Sequence, residues 1–256
     1  NPPKGSRLAY PDWQKYLPLE EITIAEALQQ EGYRTASFGK WHLSQEKVPP
    51  QSLPFNPDKQ GYDEHVVTYK PLGYAQGEWQ TPEDDGHNVE LITQKSLKFI
   101  EDNSDASFFL FVSHNTIHNP LMERKATIEK YRNKMGTELD ENNPIIGAMI
   151  ERLDQSVGRL LDKLDELSLT DNTVFVFYSD HGGLESDAAQ TPLRSGKANL
   201  YEGGIRVPLI VRWPGCVQPG MLNHNLVSSI DMFPTLLEMA GSDKQYDKID
   251  GISIMP

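Results

Sequence analysis

TVFVFYSDHGG, residues 173–183, decides the fold of this chain, because an unbroken apolar run gives way to Asp180, His181 and two glycines. Apolar runs of this length without alternation are typical of strands that are covered on both faces of a parallel sheet. Residues 107–113, SFFLFVS, repeat the pattern, and His118 follows them closely. Ligands of open α/β sheets collect beyond the carboxyl ends of the strands, so we expect a functional site at this edge.

Helix and strand signals alternate along the rest of the chain. Helices are predicted from the Thr23 capping box to Gly32, and at 88–102, 144–167 and 229–240. Strands are predicted at 34–38, 65–68, 107–113, 173–179 and 207–211. The alternation predicts one α/β domain over residues 1–256, with a mainly parallel sheet and helices on both faces. Residues 44–86 are predicted to form a long and mostly irregular loop. Loops of this length are uncommon unless they carry function.

Composition excludes several classes of protein. The 256 residues have a formal net charge of −13, and 38% of them are hydrophobic. The acidic balance argues against a nucleic-acid partner. No apolar run approaches the roughly 18 residues of a membrane span. The single cysteine, Cys216, excludes an internal disulfide framework and a cysteine-rich zinc site.

Cationic and imidazole side chains follow the predicted strands and occupy one later loop. Lys40, His42 and His118 come just after strands, and Lys197 lies in a glycine-containing loop before the strand at 207–211. Taken singly, each has an ordinary reading as a solvated or packing residue. Together they predict a cationic cluster that stabilises a tetrahedral oxyanion and protonates a leaving oxygen. The expected substrate is therefore a small anionic ester.

Candidate metal ligands lie at the end of the strand at 173–179. Asp180 supplies a hard oxygen that suits calcium or magnesium, and His181 adds a nitrogen that ligates or hydrogen-bonds. Asp180 also has a plain structural reading as the cap of the following turn. In the later loop, Glu202 and Arg206 are expected to form a structural ion pair.

Four segments resemble the formylglycine-dependent sulfatases of the alkaline phosphatase superfamily. They are GYRTASFGKWHLS (32–44), FFLFVSHNTIHNP (108–120), FYSDHGG (177–183) and PLRSGKANLYEGGIRVPLIVRWPG (192–215). Residues 61–63 and 231–235 resemble lesser landmarks of the family. The resemblance runs from about residue 18 to 256, and the order and spacing of its motifs make the combined signal strong.

The resemblance implies roles for the cationic residues. Lys40 and His42 match the pair that contacts the aldehyde hydrate of formylglycine, and His42 is implied to help collapse the covalent sulfate intermediate. His118 matches the histidine that reaches the leaving-group oxygen, for which His114 is the less favoured choice. Lys197 matches the sulfate-binding lysine. The implied substrate is a sulfate ester.

The resemblance also implies a divalent cation, usually calcium, with Asp180 and His181 as two of its ligands. The family needs a C/S-x-P-x-R motif for the formylglycine and two further consecutive aspartates, which this chain lacks. Cys216 has no following Pro-x-Arg, and the acidic pair at 84–85 is out of order. We therefore expect an internal piece of a sulfatase, incomplete at both ends and inactive alone, with the formylglycine upstream and a C-terminal subdomain missing.

Alternatives stay open at this point. One is a phosphoester or phosphonate hydrolase of the same superfamily, and another is a non-catalytic module that kept the fold. The guess for the substrate is a sulfated carbohydrate or an aryl sulfate, and the parent protein is expected to be periplasmic or secreted, both from the family alone. His65, Tyr74 and Trp79 are read as packing or surface residues rather than as sugar-binding groups.

Overall fold

The computed structural model describes residues 14–44, 54–71, 77–78, 85–134 and 143–255. Its contacts divide the chain into two compact units. The first unit joins Asn1–Thr68, Ala106–Ser113 and Val227–Pro256, and the second joins Tyr69–Asp105 and His114–Leu226. A single domain over all 256 residues stays a prediction.

The secondary structure follows the predicted alternation. The described helices are α1 (Ile24–Gln29), α2 (Val89–Asp102), α3 (Lys125–Arg132), α4 (Pro144–Glu166), α5 (Glu202–Ile205) and α6 (Met232–Met239). The described strands are β1 (Arg34–Lys40), β2 (Glu64–Thr68), β3 (Gly77–Glu78), β4 (Phe108–Ser113), β5 (Met122–Glu123), β6 (Phe175–Tyr178) and β7 (Leu209–Arg212). No described helix combines the length and the apolar character that crossing a membrane requires.

A parallel sheet in the order β2-β1-β4 forms the first unit. Helix α1 packs against β1 and α6. The predicted capping box of α1 is confirmed, because the Glu26 backbone N–H donates to the Thr23 hydroxyl at 3.1 Å while the Thr23 N–H donates to the Glu26 carboxylate at 2.8 Å. This reciprocal pair satisfies two backbone donors and fixes where the helix begins.

The residues just after β1 are anchored in the core of this unit. Trp41 packs edge-on against Tyr62 with ring centroids 5.9 Å apart, and both rings cluster with Ala25. The Trp41 indole N–H also donates to the Phe55 carbonyl at 2.9 Å. A buried ring with its one polar atom satisfied holds the carboxyl end of β1 in place.

Helix packing forms the second unit. Helix α4 packs against α2 and α3, and it begins at Pro144 with the Asn143 side chain accepting from the Ile145 N–H at 2.9 Å. The buried face of α4 includes Ala148, Met149, Leu160 and Leu164, at the helical spacing that the sequence predicts.

One strand pair in this unit departs from the parallel pairing that is predicted for most of the sheet. Strands β6 and β7 pair antiparallel, because the loop between them folds back and bonds to itself, with the Gly182 N–H donating to the Gly204 carbonyl at 2.9 Å. The strand faces are also less covered than predicted, since Phe111 in β4 is 41% exposed and Ile210 in β7 is 60% exposed. Helix α3 was not predicted, and its only buried residue is Ile128, which leaves little periodic signal.

Gly39 offers a stability test of the sheet in the first unit. Its φ is +124°, and a Cβ at this position would lie 1.9 Å from the Ser113 carbonyl oxygen of β4. Gly39→Ala should lower the free energy of unfolding by about 3 kcal/mol. The matched control is Gly158→Ala in α4, where a Cβ meets nothing within 4 Å. That change should raise stability by up to about 1 kcal/mol. Urea unfolding measures both, and equal effects would contradict the close approach of β1 and β4.

Candidate active site

His118 and Lys197 meet in the second unit. The His118 Nδ1 lies 2.8 Å from the Asn119 carbonyl oxygen, and because a carbonyl only accepts, this nitrogen carries a proton. The other ring nitrogen, Nε2, lies 3.4 Å from the Lys197 Nζ. An ammonium only donates, so Nε2 presents its lone pair to it. The two predicted site residues are therefore in direct contact through a hydrogen bond from the Lys197 ammonium to His118 Nε2.

Backbone packing places Lys197. Its N–H donates to the Gly183 carbonyl at 2.8 Å. A Cβ on Gly182 would lie 1.8 Å from the Gly203 carbonyl oxygen, so the turn after β6 and the start of α5 touch backbone to backbone. Only glycine allows this approach, which explains the glycine pairs in both motifs. The Lys197 loop is thereby fixed beside the Asp180–His181 turn.

Asp180 and His181 form an electron-rich pair at that turn. The His181 N–H donates to Asp180 Oδ1 at 3.0 Å, and the His181 Nδ1 donates to the Gly182 carbonyl at 2.9 Å. The remaining ring nitrogen then faces Asp180 Oδ2 at 3.3 Å. Two lone pairs at this distance repel unless a proton or a cation lies at the pair.

These donors fit a divalent cation in type but not in number. The Asp180 side chain is 70% exposed and is a hard oxygen ligand. Calcium takes about six to eight oxygen ligands. Among the residues that the structure describes, no group of three or more histidine, cysteine or acidic side chains could hold a metal ion.

A buried hydrogen-bond chain supports the loop that carries His118, and sequence reasoning missed it. The hydroxyls of Thr93 in α2 and Ser156 in α4 lie 2.6 Å apart, and Ser156 Oγ lies 3.1 Å from His114 Nε2. Burial lowers the pKa of His114 to about 4. His114 therefore ties the start of the loop to the helices.

His87 holds the other end of the same loop. It is 1% exposed, and its Nε2 donates to the Pro120 carbonyl at 3.0 Å. The Asn115 amide donates to the His87 carbonyl at 3.4 Å. Burial also lowers the pKa of His87. No pattern in the sequence marks His87, because its role depends on contacts between distant segments.

The structure assigns Asp85 to a buried ion network. Arg152 donates to Asp85 at 2.6 Å and to Glu123 at 3.2 Å. Burial raises the pKa of Glu123, and the adjoining guanidinium opposes that rise. Asp85 thus has a structural partner in Arg152, and the other member of the 84–85 pair lies outside the described residues.

Lys40 and His42 lie in the first unit. Lys40 ends β1, and its carbonyl accepts from the Ser113 hydroxyl of β4. Trp41 is buried and His42 is exposed. Their membership of the same site as Lys197 stays a prediction.

The remaining candidates have surface or structural positions. Arg206 and Glu202 form the predicted ion pair at 3.0 Å. The Nε2 of His65, on β2, lies 4.0 Å from Asp58 Oδ1. Cys216 is exposed and free. The predictions for Tyr74 and Trp79 fall outside the described residues.

Comparison with known families identifies the chain. The family model described as Sulfatase matches residues 4–242. The chain belongs to the sulfatase family. This family generally involves a divalent metal and a formylglycine. Asp180 and His181 as ligands of such a metal stay a prediction.

Two curated relatives show how much of a sulfatase the chain spans. It is 29% identical over 298 residues to a sulfatase of Formosa agariphila, covering 93% of this chain and 54% of that protein. It is 30% identical over 279 residues to human arylsulfatase A, covering 94% of this chain and 52% of that protein. The chain therefore spans about half the length of the curated relatives that it matches.

Solved structures share the fold. The crystal structure of Ps i-CgsB in complex with k-i-k-neocarrahexaose has a TM-score of 0.78 and 24% identity, covering 96% of this chain and 59% of that chain. The phosphonate monoester hydrolase SpPMH from Silicibacter pomeroyi has a TM-score of 0.66 and 20% identity, covering 95% and 62%. The α/β class predicted for this sulfatase chain is confirmed.

The buried His114 predicts how the stability of the sulfatase depends on pH. Its folded pKa of about 4 lies below the ordinary value of 6.5, so the unfolded chain binds more protons between these values. The contribution of neutral His114 to the free energy of unfolding is therefore fully present above pH 6.5. As the pH falls towards 4, the free energy of unfolding decreases by about 3 kcal/mol. His114→Asn should remove this part of the pH dependence in urea unfolding at pH 7, 5.5 and 4. The exposed His224→Asn serves as the control, and equal pH profiles for both variants would contradict the assignment.

Proposed function

We propose that the full-length protein is a sulfuric ester hydrolase in which Lys197 and His118 act on the sulfate ester together. The observation that supports this is the 3.4 Å contact between the Lys197 Nζ and the His118 Nε2. A cation beside an unprotonated imidazole nitrogen is suited both to bind an anionic ester and to deliver a proton. Both groups match the family pattern residue by residue.

Lys197 and His118 have different roles in this proposal. The Lys197 ammonium binds a sulfate oxygen and offsets the negative charge that grows in the transition state. The pair holds one transferable proton between Nζ and Nε2. As an attacking hydroxyl oxygen bonds to sulfur, the bond between sulfur and the ester oxygen breaks, and the ester oxygen takes the shared proton from His118 Nε2 and leaves as an alcohol. The proton that the attacking hydroxyl gives up restores the charge of the pair. The proton on Nδ1 stays on the Asn119 carbonyl and keeps the ring oriented.

Asp180 and His181 are proposed to hold the divalent cation, with calcium as the choice because the carboxylate is a hard ligand. Once held by these residues, the cation would supply positive charge that favours binding of an anionic ester. Lys40 and His42 are proposed to contact the aldehyde hydrate of a formylglycine that this chain does not contain. The reaction therefore belongs to the full-length protein, and the chain alone is expected to be inactive.

The substrate class and the compartment are also proposals. A sulfated saccharide or an aryl sulfate suits a site with one cationic pair, and export of the parent protein follows from the family expectation. Hydrolysis of a phosphonate monoester is the weaker alternative, since the same charges bind either tetrahedral anion but SpPMH has the lower TM-score. A non-catalytic module would not need Lys197 and His118 in contact.

Removing the Lys197 ammonium tests the proposal directly. Lys197→Ala in the full-length protein should lower kcat/KM for 4-nitrophenyl sulfate by about 100-fold, as for loss of one oxyanion-binding group. Lys95→Ala on the exposed face of α2 is the control and should change nothing. Turnover of a phenylphosphonate monoester but not of the sulfate would favour the alternative. Equal activity of Lys197→Ala and the wild type would contradict the proposed function.

Cation binding has a test that does not depend on turnover. Titration calorimetry of the full-length protein with calcium alone should show binding that Asp180→Asn weakens about tenfold or more, because affinity grows with ligand charge. Asp171→Asn, an exposed residue after α4, is the matched control. Unchanged calcium affinity in Asp180→Asn would show that Asp180 is not a ligand.

A further inference from the structure

Asn119 forms two hydrogen bonds that connect the His118 ring to a more distant carboxylate. Its carbonyl accepts from His118 Nδ1 at 2.8 Å, and its side-chain amide donates to Asp187 Oδ2 at 2.8 Å. Because Asn119 directly follows His118, the backbone that holds the ring belongs to the residue whose side chain Asp187 binds. The orientation of the imidazole therefore depends on how the Asn119 side chain is held.

The Asp187 carboxylate is itself held by its own turn. The Ser186 hydroxyl donates to Asp187 Oδ1 at 3.0 Å, and the Asp187 N–H donates to the Leu184 carbonyl at 3.0 Å. The residue is partly buried. A carboxylate also makes a stronger acceptor than a neutral oxygen. Asp187 therefore offers the Asn119 side chain a strong acceptor in a fixed place.

The segment that contains Asp187 also contacts the turn that places Lys197. The Gly183 N–H donates to the Gln190 side-chain oxygen at 3.3 Å, and the Gly183 carbonyl accepts from the Lys197 N–H at 2.8 Å. The bond between Asp187 and Asn119 thus joins two loops whose side chains meet in the candidate site.

We propose that Asp187 is a positioning residue, which holds Asn119 so that its carbonyl keeps the proton on His118 Nδ1 and Nε2 faces Lys197. This inference rests on the proposed function and adds a residue to the same site. The effect is geometric, and Asp187 touches neither the substrate nor the reacting atoms. Without the carboxylate, the Asn119 backbone is free to turn and its bond to Nδ1 weakens. Fewer molecules then present Nε2 correctly to the leaving oxygen.

The loss of kcat in Asp187→Ala should depend on the leaving group. In the full-length protein, kcat for phenyl sulfate should fall about tenfold or more, as part of what a general acid contributes. The fall for 4-nitrophenyl sulfate should be smaller, because its less basic leaving oxygen needs the proton less. KM should change little, since Lys197 keeps its own backbone bond. A variant that is merely less folded would lose both activities by the same factor.

Conservative and double variants test whether Asp187 acts through Asn119. Asp187→Asn keeps an oxygen that accepts from the Asn119 amide, so it should recover most of the phenyl sulfate activity that Asp187→Ala loses. Asn119→Ala removes the other partner, and its loss should match that of Asp187→Ala without multiplying it in the double variant. Asp154→Ala, at an exposed aspartate of α4, is the matched control and should leave both kcat values unchanged.

Nitrogen NMR of the histidine-labelled full-length protein tests the same claim without turnover. The His118 signals, assigned by their loss in His118→Gln, should report a proton on Nδ1 in the wild type. In Asp187→Ala they should report a mixture of the two neutral forms of the ring. Thermal unfolding checks that each variant is folded.

The two readouts separate this inference from the proposed function. An active wild type with either unchanged His118 signals or equal losses of kcat for the two sulfates overturns the positioning role alone. A wild type that hydrolyses neither sulfate overturns the proposed function and the catalytic part of this inference. In that case the NMR signals alone decide whether Asp187 orients the His118 ring, and unchanged signals overturn that claim as well.

Discussion

The contact between two glycine-containing turns organises the second unit. Gly182 lies so close to the Gly203 carbonyl that no side chain fits between them. This contact brings the turn after β6 against the loop that carries Lys197, and the bond from the Lys197 N–H to the Gly183 carbonyl sets its position. Because backbone atoms make the contact, the placement of Lys197 does not depend on flexible side chains.

Buried polar groups support the loop that carries His118. His114 bonds to Ser156 and His87 bonds to Pro120, so both ends of the segment around His118 are tied to α2, α4 or the residues before them. Both histidines have lowered pKa values because of burial, and they stay neutral at physiological pH. A neutral support adds no charge next to the proposed Lys197–His118 pair.

Much of this arrangement could be predicted from the sequence, for identifiable physical reasons. The apolar run before Asp180 and the periodic face of α4 each reflect local geometry, so their elements were found in place. His118 and Lys197 were expected together, and they are in contact. The antiparallel return of β7 and the support from His87 and Ser156 were not predicted, because they depend on how distant segments pack. The grouping of Lys40 and His42 with this pair stays a prediction.

The central claim is that Lys197 and His118 act as one unit that shares a proton, and a double-mutant cycle tests it most directly. Lys197→Ala, His118→Ala and the double variant of the full-length protein are compared by kcat/KM for an aryl sulfate. Residues that act as a unit give strongly non-additive losses. The account predicts a double variant about as slow as the worse single variant. Losses that multiply, to about 10⁴-fold for two independent losses of about 100-fold, would contradict it.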